Sequence, residues 1–390
     1  MDRGYFFLAL AFSACNFTQR LGTEIELVDA AVVSDSGNDD SASLRLDGGQ
    51  DLGPRTPLTL AFSPKSSDLV TGNTIFVGDV DGDGAPDLVV GSSFVSGNGK
   101  GDFSSPQLLA DPGFSEQVIE LADVDQNHTL DLLVGNGGLS NNGEVFLSLG
   151  KGKAAFAPAM KVPFTGHVAV GDINGDGAPD LVGYNDGVAV AFNSLNFATL
   201  QRFSPQIRTG IIRSADLNRD ERDDVVAIIV PSDGTDPMLL AVLLSQPSGL
   251  ELKTPLNPGG QILQDFALAD LDNDGDVDLV SADRVGTVTT FRGHGDGTFS
   301  MVDHFESGAE TTAIVIADFD QDGFGDVAAL HAQDVAIMRG RGDGKLLAPK
   351  PFSVSTQLRA LVAGDFDGDG KIDLAGAGYG GIVVLSNRSH

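Results

Sequence analysis

Short apolar stretches bounded by turn-forming residues recur along most of the chain. Stretches such as Leu88–Val90, Leu132–Val134 and Leu279–Val280 are rich in leucine and valine, and each follows an acidic loop. Apolar runs of this length, placed between glycine-containing turns, are typical of β-strands. The pattern predicts an all-β chain with many short strands.

The acidic loop before these strands occurs seven times. Loops 1 to 7 begin at Asp79, Asp123, Asp172, Asp216, Asp270, Asp318 and Asp365. They recur about every 44 to 54 residues, and such a period in a strand-rich chain is typical of one propeller blade per repeat. We therefore expect a seven-bladed β-propeller of four-stranded antiparallel blades, each with one aspartate-rich loop.

The two ends of the repeat region suggest how the ring closes. The seventh repeat stops at His390, one strand short, and the segment 56–64 resembles the fourth strand of the other repeats. We expect this segment to complete the last blade, because closing the ring removes exposed strand edges. The predicted propeller therefore covers residues 56–390.

Each loop spans nine positions and places Asp or Asn at positions 1, 3 and 5 and Asp at position 9. Hard oxygen ligands in this number suit Ca²⁺ better than Mg²⁺, which demands a stricter octahedron, and the position-7 carbonyl can join them. Up to seven calcium ions are expected. The predicted ligands are Asp79, Asp81, Asp83, Ala85 and Asp87; Asp123, Asp125, Asn127, Thr129 and Asp131; Asp172, Asn174, Asp176, Ala178 and Asp180; Asp216, Asn218, Asp220, Arg222 and Asp224; Asp270, Asp272, Asp274, Asp276 and Asp278; Asp318, Asp320, Asp322, Phe324 and Asp326; and Asp365, Asp367, Asp369, Lys371 and Asp373.

An EF-hand is excluded, although the first half of each loop resembles one. An EF-hand needs an acidic residue at position 12 and flanking helices. Position 12 is never acidic here, and a strand follows position 9 directly. Loops 2 and 4 should bind calcium most weakly, because His128 and Glu221 replace the position-6 glycine of the other loops, where a positive φ is expected.

The first 15 residues read as an export signal. An apolar run, Tyr5–Phe12, precedes small residues and Cys15, and it is too short to span a bilayer. The sequence Phe12–Cys15 resembles the lipobox of bacterial lipoproteins, which implies lipidation of Cys15 and a membrane anchor at the cell envelope or surface. Secretion after ordinary cleavage is the alternative.

Residues 16–55 are rich in Ser, Asp, Gly and Pro, and they read as a flexible acidic linker. The net charge of −31 argues against nucleic acid as a partner. Cys15 is the single cysteine, so an intramolecular disulfide is excluded.

The pattern GDVDGDGAPDLVV at Gly78–Val90, with its six degraded copies, resembles the FG-GAP or VCBS repeat of integrin α-type propellers and bacterial surface proteins. The resemblance implies a seven-bladed propeller with calcium on one face and ligand contacts on the opposite face. It also implies a role in adhesion, glycan binding or protein assembly. The ligand-contact loops would be those after Val90, Val134, Tyr184, Val230, Ala282, His331 and Tyr379.

Three classes of function remain open from the sequence. The favoured one is a surface-exposed binding or adhesion module that recognises an extracellular protein or glycan. The alternatives are a structural scaffold of an envelope complex and a propeller enzyme such as a polysaccharide lyase or hydrolase. No HExxH, GxSxG or phosphate-loop motif occurs, so we expect no enzymatic activity. Tryptophan and tyrosine side chains that could stack against a sugar ring are scarce, since Trp is absent and only Tyr184 and Tyr379 lie in the repeats.

Overall fold

A computed structural model of the protein describes residues 60–62, 72–109, 117–135, 143–193, 197, 200–205, 208–230, 238–247, 249–259, 262–354 and 356–388. The expected leader 1–15 with Cys15, the linker 16–55 and most of segment 56–64 lie outside the described residues. Within the described ranges, no helix has the length and apolar character needed to cross a membrane.

Five sheets have four antiparallel strands each. Their strands are β2 (Ile75–Gly78), β3 (Asp87–Val90), β4 (Ser93–Val95) and β5 (Gln107–Leu108); β13 (Arg208–Ala215), β14 (Asp224–Val230), β15 (Leu239–Gln246) and β16 (Gly249–Leu252); β17 (Leu263–Ala269), β18 (Asp278–Asp283), β19 (Thr287–Gly293) and β20 (Phe299–Glu306); β21 (Ala313–Ala317), β22 (Asp326–Leu330), β23 (Asp334–Met338) and β24 (Lys350–Ser353); and β25 (Leu358–Gly364), β26 (Asp373–Gly378), β27 (Gly381–Asn387) and β1 (Leu60–Phe62).

The sixth sheet has seven strands in chain order. Its strands are β6 (Gln117–Ala122), β7 (Asp131–Gly135), β8 (Glu144–Ser148), β9 (Met160–Gly171), β10 (Asp180–Tyr184), β11 (Gly187–Ala191) and β12 (Leu200–Pro205). The fold is thus an all-β propeller of four-stranded antiparallel blades, as predicted, but five blades stand as separate sheets and not seven.

The cause of this difference is the long strand β9. Its first half pairs with β8, from Met160 opposite Leu147 to Thr165 opposite Glu144, and its second half pairs with β10 up to Gly171 opposite Asp180. In most other repeats a loop separates the outermost strand from the next innermost strand. Here the chain continues without a break, so the hydrogen bonds of two consecutive repeats merge into one sheet.

The hydrophobic core lies between the sheets. Each apolar cluster joins side chains of two consecutive repeats, with large members such as Phe164, Phe266 and Phe319 fully buried. Burial of each such side chain contributes about 1.5–3 kcal/mol. Because every repeat must cover one sheet face with its neighbour, a single repeat could not fold alone.

Contacts between the last and the first repeat close the ring. The ring of Phe103 packs edge-on against Phe366 at 5.8 Å, and the Gly101 amide donates to the Phe366 carbonyl at 2.8 Å. Strand β1 also pairs with β27, with Leu60 opposite Asn387. The N-terminal and C-terminal ends of the described chain therefore share one blade.

Candidate metal centres

The acidic loops connect the innermost strand of each blade to the second strand, and they share one backbone conformation. Positions 4 and 6 have a positive φ in all seven loops, whether they hold Gly or another residue. The expected left-handed backbone at position 6 is confirmed, including at His128 (φ 66°) and Glu221 (φ 69°). The same requirement at position 4 was not predicted.

The position-1 aspartate organises the loop backbone. In each loop its Oδ2 accepts a hydrogen bond from the position-6 amide, for example Gly84 to Asp79 and Gly370 to Asp365, both at 2.9 Å. In most loops its Oδ1 accepts from the position-5 amide as well. These bonds curl the chain around the carboxylate.

The position-9 aspartate ties the loop to the rest of the blade. Its Oδ1 accepts a hydrogen bond from the amide at the end of the third strand in all seven repeats, as from Gly97 to Asp87 at 2.8 Å. In six repeats its Oδ2 accepts from the position-2 amide, as from Val80 at 2.9 Å. These aspartates are almost completely buried, so their role is structural as well as electrostatic.

Burial makes these carboxylates harder to ionise. It raises the pKa of Asp87 to about 6, of Asp278 to about 7 and of Asp326 to about 8, while backbone hydrogen bonds partly oppose the shift. Neighbouring aspartates of the same loop raise these pKa values further. A cation placed among them would favour the ionised form.

Carboxylates from positions 1, 3 and 9 converge in five loops. One oxygen of each lies within 4.8 Å of the others in loops 1, 2, 5, 6 and 7. Loops 3 and 4 place Asn174 and Asn218 at position 3, and they form no such trio of carboxylates in the described chain. The structure therefore brings together positions 1, 3 and 9 most closely.

The predicted ligands at positions 5 and 7 have a different local role. The position-5 Oδ1 accepts the position-7 amide in every loop, at 2.8–3.0 Å. Position 5 is not a member of the converging groups. Its carboxylate stabilises the turn that leads into position 9.

Several buried carboxylate oxygens in these loops lack a hydrogen-bond partner. Examples are Asp272 Oδ1 and Asp320 Oδ1. A buried charged oxygen without a partner is costly. The donor set of converging hard oxygens fits a divalent cation such as calcium, because the cation would supply the missing partner.

Residues outside the nine positions also reach the loops, and they were not predicted. Arg292 pairs with the position-3 residue Asp272, and Arg339 Nη1 pairs with the position-3 residue Asp320 at 3.1 Å. In loop 1, Ser96 Oγ donates to Asp81 at 3.2 Å. Each of these three residues comes directly before the residue whose amide binds the position-9 carboxylate. This fixed place in the repeat is the signal in the sequence that could have predicted their contact with the loop.

A hydrogen-bonded Ser–His–Asp arrangement lies at the opposite ends of the strands. His331 Nε2 is 3.0 Å from Ser307 Oγ, and His331 Nδ1 is 2.7 Å from Asp334 Oδ1. This is the connectivity of a catalytic triad. However, Ser307 Oγ also donates to the Gly286 carbonyl at 2.8 Å and lies 3.3 Å from the Ala309 carbonyl. Carbonyl oxygens around the hydroxyl would repel a developing oxyanion, so the arrangement suits a structural link between two repeats.

A second buried polar group lies on the innermost strands. Arg213 Nη2 pairs with Asp265 at 2.9 Å, and its guanidinium lies 4.8 Å from the centre of the Phe266 ring. Both Asp265 oxygens also accept backbone amides, from Phe266 and Ile314. This group links three consecutive repeats near the axis.

The sequence profile of the FG-GAP-like repeat family matches residues 123–183, 270–329 and 318–376. Each match runs from position 1 of one acidic loop to the second strand of the following repeat. No curated protein matches the chain.

Solved propellers have a similar fold. A lectin of Agrocybe aegerita, described as specifically recognising non-reducing terminal N-acetylglucosamine, is 17% identical with a TM-score of 0.55 and covers 78% of this chain and 85% of its own. A chain from the crystal structure of BBS1N in complex with ARL6DN, soaked with lead, is 12% identical with a TM-score of 0.56. It covers 85% of this chain and 97% of its own.

At these identities the solved structures support the fold alone. The matches to the repeat profile, the acidic loops at which they begin and the ring of antiparallel blades agree with one another. The chain is therefore a β-propeller in which residues 123–183 and 270–376 match the FG-GAP-like repeat.

Proposed function

We propose that the protein is a calcium-stabilised, seven-bladed propeller that binds an extracellular protein or polysaccharide. The observation that carries the calcium part is the repeated convergence of partly exposed carboxylates from positions 1 and 3 on the buried carboxylate of position 9. Turn-forming aspartates alone would not require buried oxygens without partners, such as Asp272 Oδ1. Calcium would be held by these carboxylates, with position 5 and the position-7 carbonyl completing the shell.

The seven-blade count follows from treating β9 as shared by two repeats. The seven-stranded sheet then divides into β6–β9 and β9–β12, and each part carries one acidic loop. Seven apolar clusters, one between each pair of consecutive repeats, support this division in the described chain.

The binding surface would lie opposite the acidic loops. The turns at 91–92, 185–186, 284–286, 331–333 and 379–380 lie at the far ends of second strands of four to six residues, about 13–20 Å from the loops. Tyr379 is 61% exposed there, and the Arg359 guanidinium lies 5.1 Å from the centre of its ring. An exposed aromatic ring beside a cation suits a sugar or a peptide side chain.

The lectin with a similar fold makes a glycan the first ligand to test for the proposed binding role. The arrangement around Ser307 described above favours binding over hydrolysis. A scaffold role in an envelope complex would use the same surface. We further propose that Cys15 is lipidated and that linker 16–55 holds the propeller away from the membrane.

Two measurements test the proposal. Chelation should lower the melting temperature of the whole chain, because a ligand that binds the folded state stabilises it by mass action. An unchanged melting curve in excess EDTA would refute the calcium part. A glycan array and a pull-down from envelope extract should then identify a ligand whose binding is lost in Tyr379→Ala but retained in the outer-strand control Met301→Ala. Equal binding by both variants would argue against this surface.

A further inference from the structure

Three loops carry a residue at position 4 that has an unfavourable backbone conformation for its type. Gln126, Arg219 and Gln321 have φ values of 60°, 61° and 58°, where loops 1, 3 and 7 have glycine. A non-glycine residue in this region costs on the order of 1 kcal/mol, so an outlier of this kind suggests a role for the side chain.

Each of these side chains reaches the next loop of the ring. Gln126 Nε2 donates to the Gly177 carbonyl of loop 3 at 2.6 Å, and Gln321 Nε2 donates to the Gly370 carbonyl of loop 7 at 2.8 Å. Both acceptors are at position 6, between the position-5 and position-7 ligands. Arg219 Nη2 contacts loop 5 at the Asp274 carbonyl (3.3 Å) and at the Asp276 carboxylate (2.7 Å).

We propose that the calcium loops are coupled in pairs, loop 2 with 3, loop 4 with 5 and loop 6 with 7, through these position-4 side chains. The inference rests on the proposed calcium binding. It adds that the sites do not load independently. Loop 1 has no such link to loop 2 or to loop 7. The residue that would make it is a glycine in both cases: Gly82 at position 4 of loop 1 and Gly368 at position 4 of loop 7.

The coupling follows from preorganisation. Calcium in loop 6 would fix the position-4 backbone, and Gln321 would then hold the backbone of loop 7 next to its ligands. A loop that is already ordered loses less conformational freedom when it binds the second ion. Linkage makes the effect reciprocal, so calcium in loop 7 must favour calcium in loop 6 by the same factor.

Loops 6 and 7 give the sharpest test, because each keeps aspartate at positions 1, 3, 5 and 9. Gln321→Gly removes the link while keeping a residue that accepts the positive φ. Asn273→Gly is the matched control, since Asn273 has φ 60° at position 4 of loop 5 but makes no hydrogen bond to loop 6. Any effect of relaxing the backbone alone would appear in both variants.

The readout is hydrogen exchange of the loop peptides in the whole chain, measured across a calcium titration. In Gln321→Gly the midpoint for protection of loop 7 should move about five-fold to higher calcium, the low end of typical coupling. In Asn273→Gly the midpoint for protection of loop 6, the next loop after loop 5, should stay at the wild-type value. In an Asp365→Asn background, which weakens loop 7, the loop 6 midpoint should rise only when Gln321 is present.

An unchanged loop 7 midpoint in Gln321→Gly, or an equal shift of the loop 6 midpoint in Asn273→Gly, would overturn the coupling while leaving calcium binding intact. If no loop of the wild-type chain gains protection with calcium, the proposed calcium binding itself fails. The two failures are therefore distinguishable.

Discussion

The buried position-9 aspartate should destabilise the folded protein in the absence of calcium and stabilise it when calcium binds. Asp373 is the example, because it is completely buried and its two oxygens accept the amides of Asn387 at 2.6 Å and Phe366 at 3.1 Å. Asp373→Asn keeps the shape of the side chain and removes its charge. Asp369→Asn is the control, since it removes the same charge from an exposed position in the same loop.

Without calcium, two opposing free-energy terms decide whether Asp373→Asn is more or less stable than wild type. Burial, followed by repulsion from Asp367, raises the pKa of Asp373 from 3.8 to about 7, which corresponds to about 4 kcal/mol against the ionised form. The asparagine amide would face one backbone amide donor and lose that hydrogen bond, at a cost of about 1–3 kcal/mol. At pH 8 in excess EDTA, Asp373→Asn should therefore be about 1–3 kcal/mol more stable than wild type.

The dependence on pH has a definite sign. The folded state holds the Asp373 proton more tightly than the unfolded state, so this group's contribution to stability is fully present near pH 4. It is lost as the pH rises through about 7. At pH 5, where the folded carboxyl is still protonated, the advantage of Asp373→Asn should be mostly gone.

Calcium should reverse the order of stability. The cation would compensate the buried charge, and the amide is a weaker ligand, so Asp373→Asn should become less stable than wild type in excess calcium. Urea unfolding of wild type and both variants, at pH 5 and pH 8 with and without calcium, measures these differences. A destabilised Asp373→Asn in EDTA at pH 8 would refute the burial argument, and an unchanged order on adding calcium would refute the metal site.

Three further outcomes are expected. His331→Ala should lower the free energy of unfolding by about 2–4 kcal/mol, because it removes two hydrogen bonds and leaves a cavity. Labelling of Ser307 by a fluorophosphonate would instead show that Ser307, His331 and Asp334 form a catalytic group. Arg213→Met should cost about 3–5 kcal/mol by leaving Asp265 buried without its counter-charge, and adding Asp265→Asn should recover part of this loss in urea unfolding. Anomalous scattering from crystals grown in limiting calcium should show loops 1 and 7 filled before loops 2 and 4; the reverse order would contradict the ranking of the loops.

The features that repeat at fixed spacing were the ones that the sequence could predict. Seven copies of the acidic loop, each followed by an apolar run, specify short strands, the blade and the left-handed backbone at position 6. They do so because turn geometry and strand burial are decided within a few residues. The family resemblance rested on the same repeated positions.

Contacts between repeats could not be read from that pattern. Asp223, at position 8 of loop 4, lies against loop 3 and accepts the Asp172 amide at 2.9 Å, although most loops have an apolar residue at this position. Asn193 and Asn387, whose backbone amides bind position 9 of their own loops, also donate from their side chains to the position-2 carbonyl of the preceding loop, at 2.8 and 2.7 Å. These partners lie about 50 to 70 residues apart, so no local pattern marks them.

By itself, the sequence determined the all-β repeat, the unit of each blade and the candidate metal ligands, because local hydrogen bonding and hydrophobic periodicity act over short segments. Only the tertiary structure decided how the repeats join: the merging of two of them through β9, the pairing of β1 with β27 and the grouping of Ser307, His331 and Asp334. These features depend on which side chains meet after the ring has closed, and closure brings together residues that the chain keeps far apart.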